Sequence, residues 1–532
     1  MTSSEDEKEG KKSFLSETWS SLWAAASVPV VLSLTLGYNV GYYRGVHSNS
    51  DRDGRYMIMS FVTVGFFREL WHVVPVWVKR QIPVLGRSYR KKDTLEIDPN
   101  DMSSIATISA KLDTIGSLLE ERVGATLSDT KTRIALAMVL KMMAYVHKHM
   151  PQAHDELEFD SFDDPTVLKE MDECFEWADA AYDEINGGKS LKEFLGDEGF
   201  RLVRHEKEVL PGSVSHYVAI CKERKMALIG VRGTSGFEEM LTDLCGSSEC
   251  HELDGTFSEG GPTKIWCHDG ILAASRRLAD DLDHLVEELF IPNDYQILLT
   301  GHSLGAGAAA LAGLILRSRF PELQEKRSDG ILPLRVIAFA SPPVLDPEAA
   351  LACKEFCTTI VNNSDVIPRA SVDSLMSLTL ILKRVYEKVE AKGLAPDDLT
   401  KTFDFLMNLL LKSIPEEDTL EGDYDKTNDI MLLSINELWE IVSNTTNEVF
   451  EIDDKSHHLI VPGTVIYMFD LWSEPCFDPD AKAVNSGRVK VVDGTMRPLR
   501  VVDLNSRMLM DHMSPAYRSR IKALLASIKP DE

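Results

Sequence analysis

Residues 295–307 set Ser303 between Gly301 and Gly305, with an apolar run before it and an alanine-rich run behind it. Residues 297–300 read as a buried strand, and 308–316 as a helix whose small side chains permit close packing on a sheet. A serine at the sharp turn between two such elements sits in strained backbone. The flanking glycines remove Cβ atoms that would collide across that turn. The pattern requires strand, turn and helix in succession, the unit of a layered α/β sheet. It reads as a nucleophile elbow that holds the Ser303 hydroxyl where a substrate carbonyl can reach it.

A serine alone is a weak nucleophile, so the elbow predicts an acid and then a histidine further along the chain. The β-branched run 358–361 leads into Asn362, Asn363, Ser364 and Asp365, which places Asp365 on the loop past the carboxyl end of a strand. Open α/β sheets collect their catalytic groups there. Near the C-terminus, His512 follows the apolar run 508–510. Spacing leaves Asp346 and Asp373 open as competing acids, and His457 and His458 as competing bases.

Acyl transfer also needs donors for a developing oxyanion. The backbone N–H of Leu304 opens the helix behind the serine and gains from the helix dipole. A second strand, 226–231, runs into Arg232, Gly233 and Thr234. Gly233 lets the backbone approach the site, so the Thr234 N–H is the second expected donor.

Taken together, Val231-Arg232-Gly233-Thr234, Thr242-Asp243-Leu244, His268-Asp269-Gly270, Gly301-His302-Ser303-Leu304-Gly305, the run 362–369 and Asp511-His512 resemble the class 3 lipases of the α/β-hydrolase fold. Among these the chain is most similar to sn-1-specific diacylglycerol lipases, over about residues 165–520. The resemblance implies an α/β-hydrolase fold with a mostly parallel central sheet. It also implies Ser303 as nucleophile, Asp365 as acid, His512 as base, and Thr234 and Leu304 as oxyanion donors. The substrate it implies is a glycerolipid, foremost diacylglycerol; phospholipase A1 or triacylglycerol lipase activity would use the same residues. No cofactor and no metal enter such chemistry. From a different class, a catalytically silent membrane scaffold would keep the fold and lose the reaction.

Composition fits a large enzyme. With 532 residues, 44% of them hydrophobic, the chain can bury a sizeable core. The net charge of −27 repels phosphate backbones, so nucleic acid is not an expected partner. The eight cysteines show no zinc-site spacing; Cys245/Cys250 and Cys353/Cys357 read as reduced thiols, with a stray disulfide as the alternative.

The N-terminal region, residues 1–95, reads as a membrane anchor. Residues 22–43 carry no charged side chain and are long enough to cross about 30 Å of hydrocarbon. Gly37, Gly41 and Gly45 recur every four residues, on one helix face where another helix could pack closely. The segment 56–78 is interrupted by Arg68, Glu69, His72 and Pro75, and reads as interfacial. The basic cluster Lys79, Arg80, Arg87, Arg90, Lys91 and Lys92 then favours a cytoplasmic face and anionic lipid headgroups. The expected protein is membrane-anchored, with its catalytic domain facing the cytosol and a lipid surface as partner.

Residues 96–164 read as a helical connector, and 165–532 as the hydrolase domain, beginning with a helix over 167–185. An insertion at about 371–455 carries Leu375, Leu378, Ile381, Leu382, Val385 and Val389 on one helical stripe. It reads either as a cap or lid that exchanges burial partners at a membrane, or as a hairpin packed permanently on the domain. Strand formation resumes at 462–469.

Overall fold

The computed structural model describes residues 120, 124, 130–149, 164–182, 189–207, 213–233, 248–327, 330–396, 401, 405, 431–451, 458–469, 488–502, 508 and 510–527. All of them belong to one compact unit, 102–476 with 482–532. The span candidate 22–43, the three glycines, the interfacial segment and the basic cluster lie outside the described residues. Among the described residues, no helix is long and apolar enough to cross a membrane.

The elements run α1 (Thr130–His149), α2 (Pro165–Ala180), α3 (Leu191–Asp197), β1 (Arg201–Glu206), β2 (His216–Cys221), β3 (Met226–Val231), β4 (Ser248–Glu252), β5 (Lys264–His268) and α4 (Asp269–Leu285). They continue as β6 (Gln296–His302), α5 (Leu304–Arg319), β7 (Leu334–Phe339), α6 (Pro347–Ala352), β8 (Cys357–Asn362), α7 (Val372–Ala391), α8 (Ile435–Phe450), β9 (Thr464–Phe469), β10 (Arg488–Asp493) and α9 (Ser514–Ser527). Among the described residues, eight strands form one sheet in the order β1-β2-β3-β6-β7-β8-β9-β10, and β4 pairs with β5. Pairing is parallel from β3 through β6, β7 and β8 to β9, and antiparallel at both edges. This is the mostly parallel sheet that the resemblance implies.

β6 is central and buried along its whole length. A strand covered on both faces cannot alternate apolar with polar residues, and its sequence does not. On one face lie α4 and α5 over Ile297 and Leu299; on the other lie α2 and α9 around Leu298 and Phe339. α5 is apolar around nearly its whole circumference, as a helix sunk into a core must be. The helix expected over 167–185 spans 165–180 instead. Asp164 caps it by accepting from the Thr166 N–H at 2.9 Å, and Pro165 takes the first helical position, where no N–H is needed.

The insertion falls between β8 and β9 and contains α7 and α8. The α7 residues Ile381, Leu382, Val385 and Val389 are buried against Ile134, Met138 and Met142 of α1 and Leu438 of α8. The connector helix α1 therefore packs on the insertion, a partnership that its own amphipathic pattern did not specify. Tertiary choice of partner is not encoded in period alone.

Candidate active site

The β6–α5 turn carries Ser303 at φ 61°, ψ −131°, in the left-handed half of the backbone map that non-glycine residues rarely enter. Such a conformation costs about 1–3 kcal/mol and persists only where the surroundings impose it. Here they do. A Cβ on Gly305 would sit 2.4 Å from the Val231 carbonyl oxygen and 2.7 Å from the Arg232 carbonyl carbon, so the end of β3 runs directly against the start of α5. A Cβ on Gly233 would meet the His302 carbonyl oxygen at 2.6 Å and the Ser303 Cβ at 3.3 Å. The Ser303 N–H donates to the Phe339 carbonyl at 2.9 Å, which ties the turn to β7.

Asp365 follows the end of β8 and His512 precedes α9, and both come to Ser303. The His512 Nε2 lies 3.1 Å from the Ser303 Oγ, and its Nδ1 lies 3.0 and 3.1 Å from the two carboxylate oxygens of Asp365. All three residues are buried. Two further donors engage the carboxylate: the Ile367 N–H at 2.9 Å and the Tyr517 hydroxyl at 2.7 Å. Burial pushes the Asp365 carboxyl up, but the neighbouring His512 and these donors outweigh it and hold the carboxyl below its usual range. A carboxylate that stays ionised beside Nδ1 fixes the imidazole with hydrogen on Nδ1 and a lone pair on Nε2. In that tautomer Nε2 is able to take the serine proton.

A second layer of bonds fixes the two loops that carry Asp365 and His512. Asp511 accepts from the Asn363 side-chain amide at 2.9 Å and the Ser364 N–H at 3.3 Å, and its own carbonyl accepts from the Asn362 amide at 2.8 Å. The buried Arg369 guanidinium donates to the carbonyls of Asp365, of Asn363 at 2.8 Å and of Pro498 at 2.7 Å. The motif containing Asn362 and Arg369 marked this region in the sequence without assigning those residues a task. Tyr517 carried no spacing signal of its own; only the turn of α9 toward Asp365 reveals it.

The competing groups are elsewhere. Asp346 caps α6 through the Ala349 N–H and accepts from the Trp266 N–H at 2.7 Å. Asp373 pairs with the His458 Nδ1, so the second-ranked acid and a second-ranked base satisfy each other. His457 lies outside the described residues. Leu304 stands where expected, first in α5, among the N–H groups that no helical carbonyl reaches. Thr234 also lies outside the described residues; its neighbour Gly233 is against Ser303. Among the described residues, no group of three or more His, Cys, Asp or Glu side chains could hold a metal ion. Six described cysteines, Cys353 and Cys357 among them, are free thiols.

Residues 228–375, which contain both Ser303 and Asp365, match the family model for Lipase (class 3). Over this segment the chain is similar to the class 3 lipases. The chain is 32% identical over 174 residues to mouse diacylglycerol lipase-beta, an alignment covering 32% of this chain and 24% of that one. It is 30% identical over 171 residues to human diacylglycerol lipase-alpha, covering 30% of this chain and 15% of the relative. The similarity thus spans about a quarter or less of the length of these relatives. Among solved structures, the Lip2 lipase from Yarrowia lipolytica is 21% identical with a TM-score of 0.31, covering 38% of this chain and 75% of that one. The class 3 lipase match stops short of His512, which lies 147 residues beyond Asp365 and past the α7–α8 insertion.

Proposed function

We propose that the protein is a serine lipase that hydrolyses an acyl ester of a glycerolipid, foremost diacylglycerol to monoacylglycerol and fatty acid. One observation carries the reading: His512 bridges the Ser303 hydroxyl and the buried Asp365 carboxylate at hydrogen-bonding distance on both sides.

In the reaction, the Ser303 Oγ forms a bond to the ester carbonyl carbon as its proton moves to the His512 Nε2. Asp365 holds the imidazole in its tautomer and stabilises the imidazolium. The oxyanion of the tetrahedral intermediate takes hydrogen bonds from the Leu304 and Thr234 N–H groups, each worth about 10²- to 10³-fold in rate. Collapse breaks the bond to the glycerol oxygen, which leaves with the proton from His512. Water then gives a proton to the His512 Nε2 as its oxygen bonds to the acyl carbon; the bond from that carbon to the Ser303 Oγ breaks, Oγ takes the proton back from His512, and fatty acid is released.

The substrate is insoluble, and the apolar run 22–43 with the basic residues 79–92 would hold the enzyme at a lipid surface with its catalytic domain toward the cytosol. Gly37, Gly41 and Gly45 would let a second helix approach the span. Because the α7 stripe is buried on α1 and α8, moving α7 alone would expose Ile381, Leu382, Val385 and Val389 to water at about 1.5–3 kcal/mol each. Gating by this insertion therefore moves α1, α7 and α8 together.

Product analysis tests the substrate. The full-length protein, given mixed glycerolipids in bilayers, should release monoacylglycerol and fatty acid from diacylglycerol faster than it releases fatty acid from phospholipid or triacylglycerol. Preferential attack on either of the others would replace the substrate and keep the chemistry.

A further inference from the structure

His302 precedes the nucleophile in the chain, yet the proposed proton transfers make no use of it. Its imidazole is buried and lies nearly parallel to that of His512, with ring centroids 4.8 Å apart and planes inclined by 28°. The His302 Nε2 is 2.9 Å from the backbone carbonyl oxygen of His512. A carbonyl oxygen can only accept, so Nε2 carries the hydrogen. Nδ1 then holds the lone pair and faces the Tyr182 hydroxyl at 3.5 Å. The rings of Phe175, Tyr182 and Tyr517 stand edge-on around it.

We infer that His302 is a positioning residue for the general base: its Nε2–H holds the His512 carbonyl, and its ring supports the His512 ring from one face. The inference rests on Ser303 and His512 acting as nucleophile and base. Asp511 and its partners fasten the base loop to β8, the strand of the acid. His302 fastens the same loop to β6, the strand of the nucleophile. The contact between Ser303 and His512 joins residues 209 apart in sequence, and the bond made by the neighbouring residue sets that approach directly. A displacement of about 1 Å in such a contact is enough to lose about 100-fold in rate.

The supporting ring must also stay uncharged, because His512 becomes a cation during each acyl transfer. The titratable groups around His302 are Tyr182, His512 and Tyr517, with Asp365 and Asp179 acting through their charge. Burial, and then the charge of His512, push the His302 pKa down to about 3. Neutral His302 leaves the developing imidazolium opposed by Asp365 with no second cation stacked on it.

Two measurements test this on the full-length protein. In enzyme labelled with ¹⁵N-histidine, the His302 ring should remain neutral with hydrogen on Nε2 from pH 5 to 9; a ring that titrates in that window, or carries hydrogen on Nδ1, overturns the inference. Second, His302→Gln keeps an N–H donor and His302→Leu does not. The Leu variant should lose about 10- to 100-fold in kcat with KM within about twofold, shift the acid limb of the kcat/KM profile and slow fluorophosphonate labelling of Ser303 equally. The Gln variant should recover most of the loss. A Leu variant equal to the parent, or equal losses in both, would overturn the inference while leaving the hydrolase reading intact. Should the Leu variant fail to fold, the Gln variant and the tautomer decide: a Gln variant that is folded yet as slow as a Ser303→Ala enzyme counts against it. Parent enzyme that does not label at Ser303 removes the hydrolase reading and this inference together.

Discussion

Tyr517 donates its hydroxyl hydrogen to the Asp365 Oδ2 at 2.7 Å while accepting from the Asn362 N–H at 3.0 Å. The phenol thus joins the acid to the strand end that carries it. Tyr517→Phe leaves a buried N–H and a buried carboxylate oxygen each short of a partner. Stability should fall by about 1–3 kcal/mol in denaturant titration, and kcat should drop by about 10-fold as Asp365 loses part of its fixed orientation. An unchanged midpoint together with an unchanged kcat would show that this bond is dispensable.

Asp365→Asn preserves shape but reverses the requirement on His512. An amide that presents its NH₂ to Nδ1 favours the tautomer with hydrogen on Nε2, which cannot take the proton from Ser303. The expected loss in kcat is about 10⁴-fold with the fold retained, read from steady-state kinetics alongside circular dichroism. Substituting Asp346 or Asp373 should leave kcat within about threefold, since neither carboxylate touches the base.

The glycine at the start of α5 faces backbone rather than flexible side chain. Gly305→Ala would press a methyl group into the Val231 oxygen at 2.4 Å and the Gly233 nitrogen at 2.8 Å, so β3 and α5 must separate. The expected cost is at least about 1–3 kcal/mol, together with lost activity, because the same contact positions Ser303. Thermal unfolding of the variant measures the first and ester hydrolysis the second.

Acid should destabilise the protein well before its carboxylates protonate in bulk. Burial lowers the pKa of both His302, to about 3, and His216. Between the ordinary histidine value of about 6.5 and those lowered values, the unfolded chain binds protons that the folded chain does not, so stability falls as pH falls. Each such group contributes a slope of up to about 1.4 kcal/mol per pH unit in that window. The lowered Asp365 adds a loss of the same sign, as pH drops from the unfolded carboxylate value through its folded one. Unfolding midpoints recorded from pH 7 to 4 should decline steadily, and His302→Gln should flatten the slope. A flat profile for the parent protein would contradict the burial of these imidazoles in neutral form.

Much of this architecture could be read from residues. The Ser303 turn, its glycines, the loop position of Asp365 and the resumption of strand, expected over 462–469 and found at Thr464–Phe469, all follow from local rules: period, turn sterics and strand-end placement. His512 could be ranked but not chosen on spacing alone, because the α7–α8 insertion makes the interval to it uninformative. Its choice over His458 is made by long-range pairing, Asp511 with Asn363 on one side and Asp373 with His458 on the other. Tyr517 and His302 were in plain view as aromatic and polar neighbours of recognised motifs. Their tasks depend on which ring atoms face which oxygens, and only packing specifies that. The apolar pattern predicts a helix to 185, because apolar residues continue past Ala180, where the helix ends.

The central claim is that Ser303 is a nucleophile made reactive by His512. Intact-mass and peptide analysis after exposure to a fluorophosphonate tests it most directly. One adduct should form, on Ser303, at a rate that falls steeply in His512→Ala and to zero in Ser303→Ala. A folded protein that takes no label at Ser303, or labels equally fast without the His512 imidazole, would contradict the account.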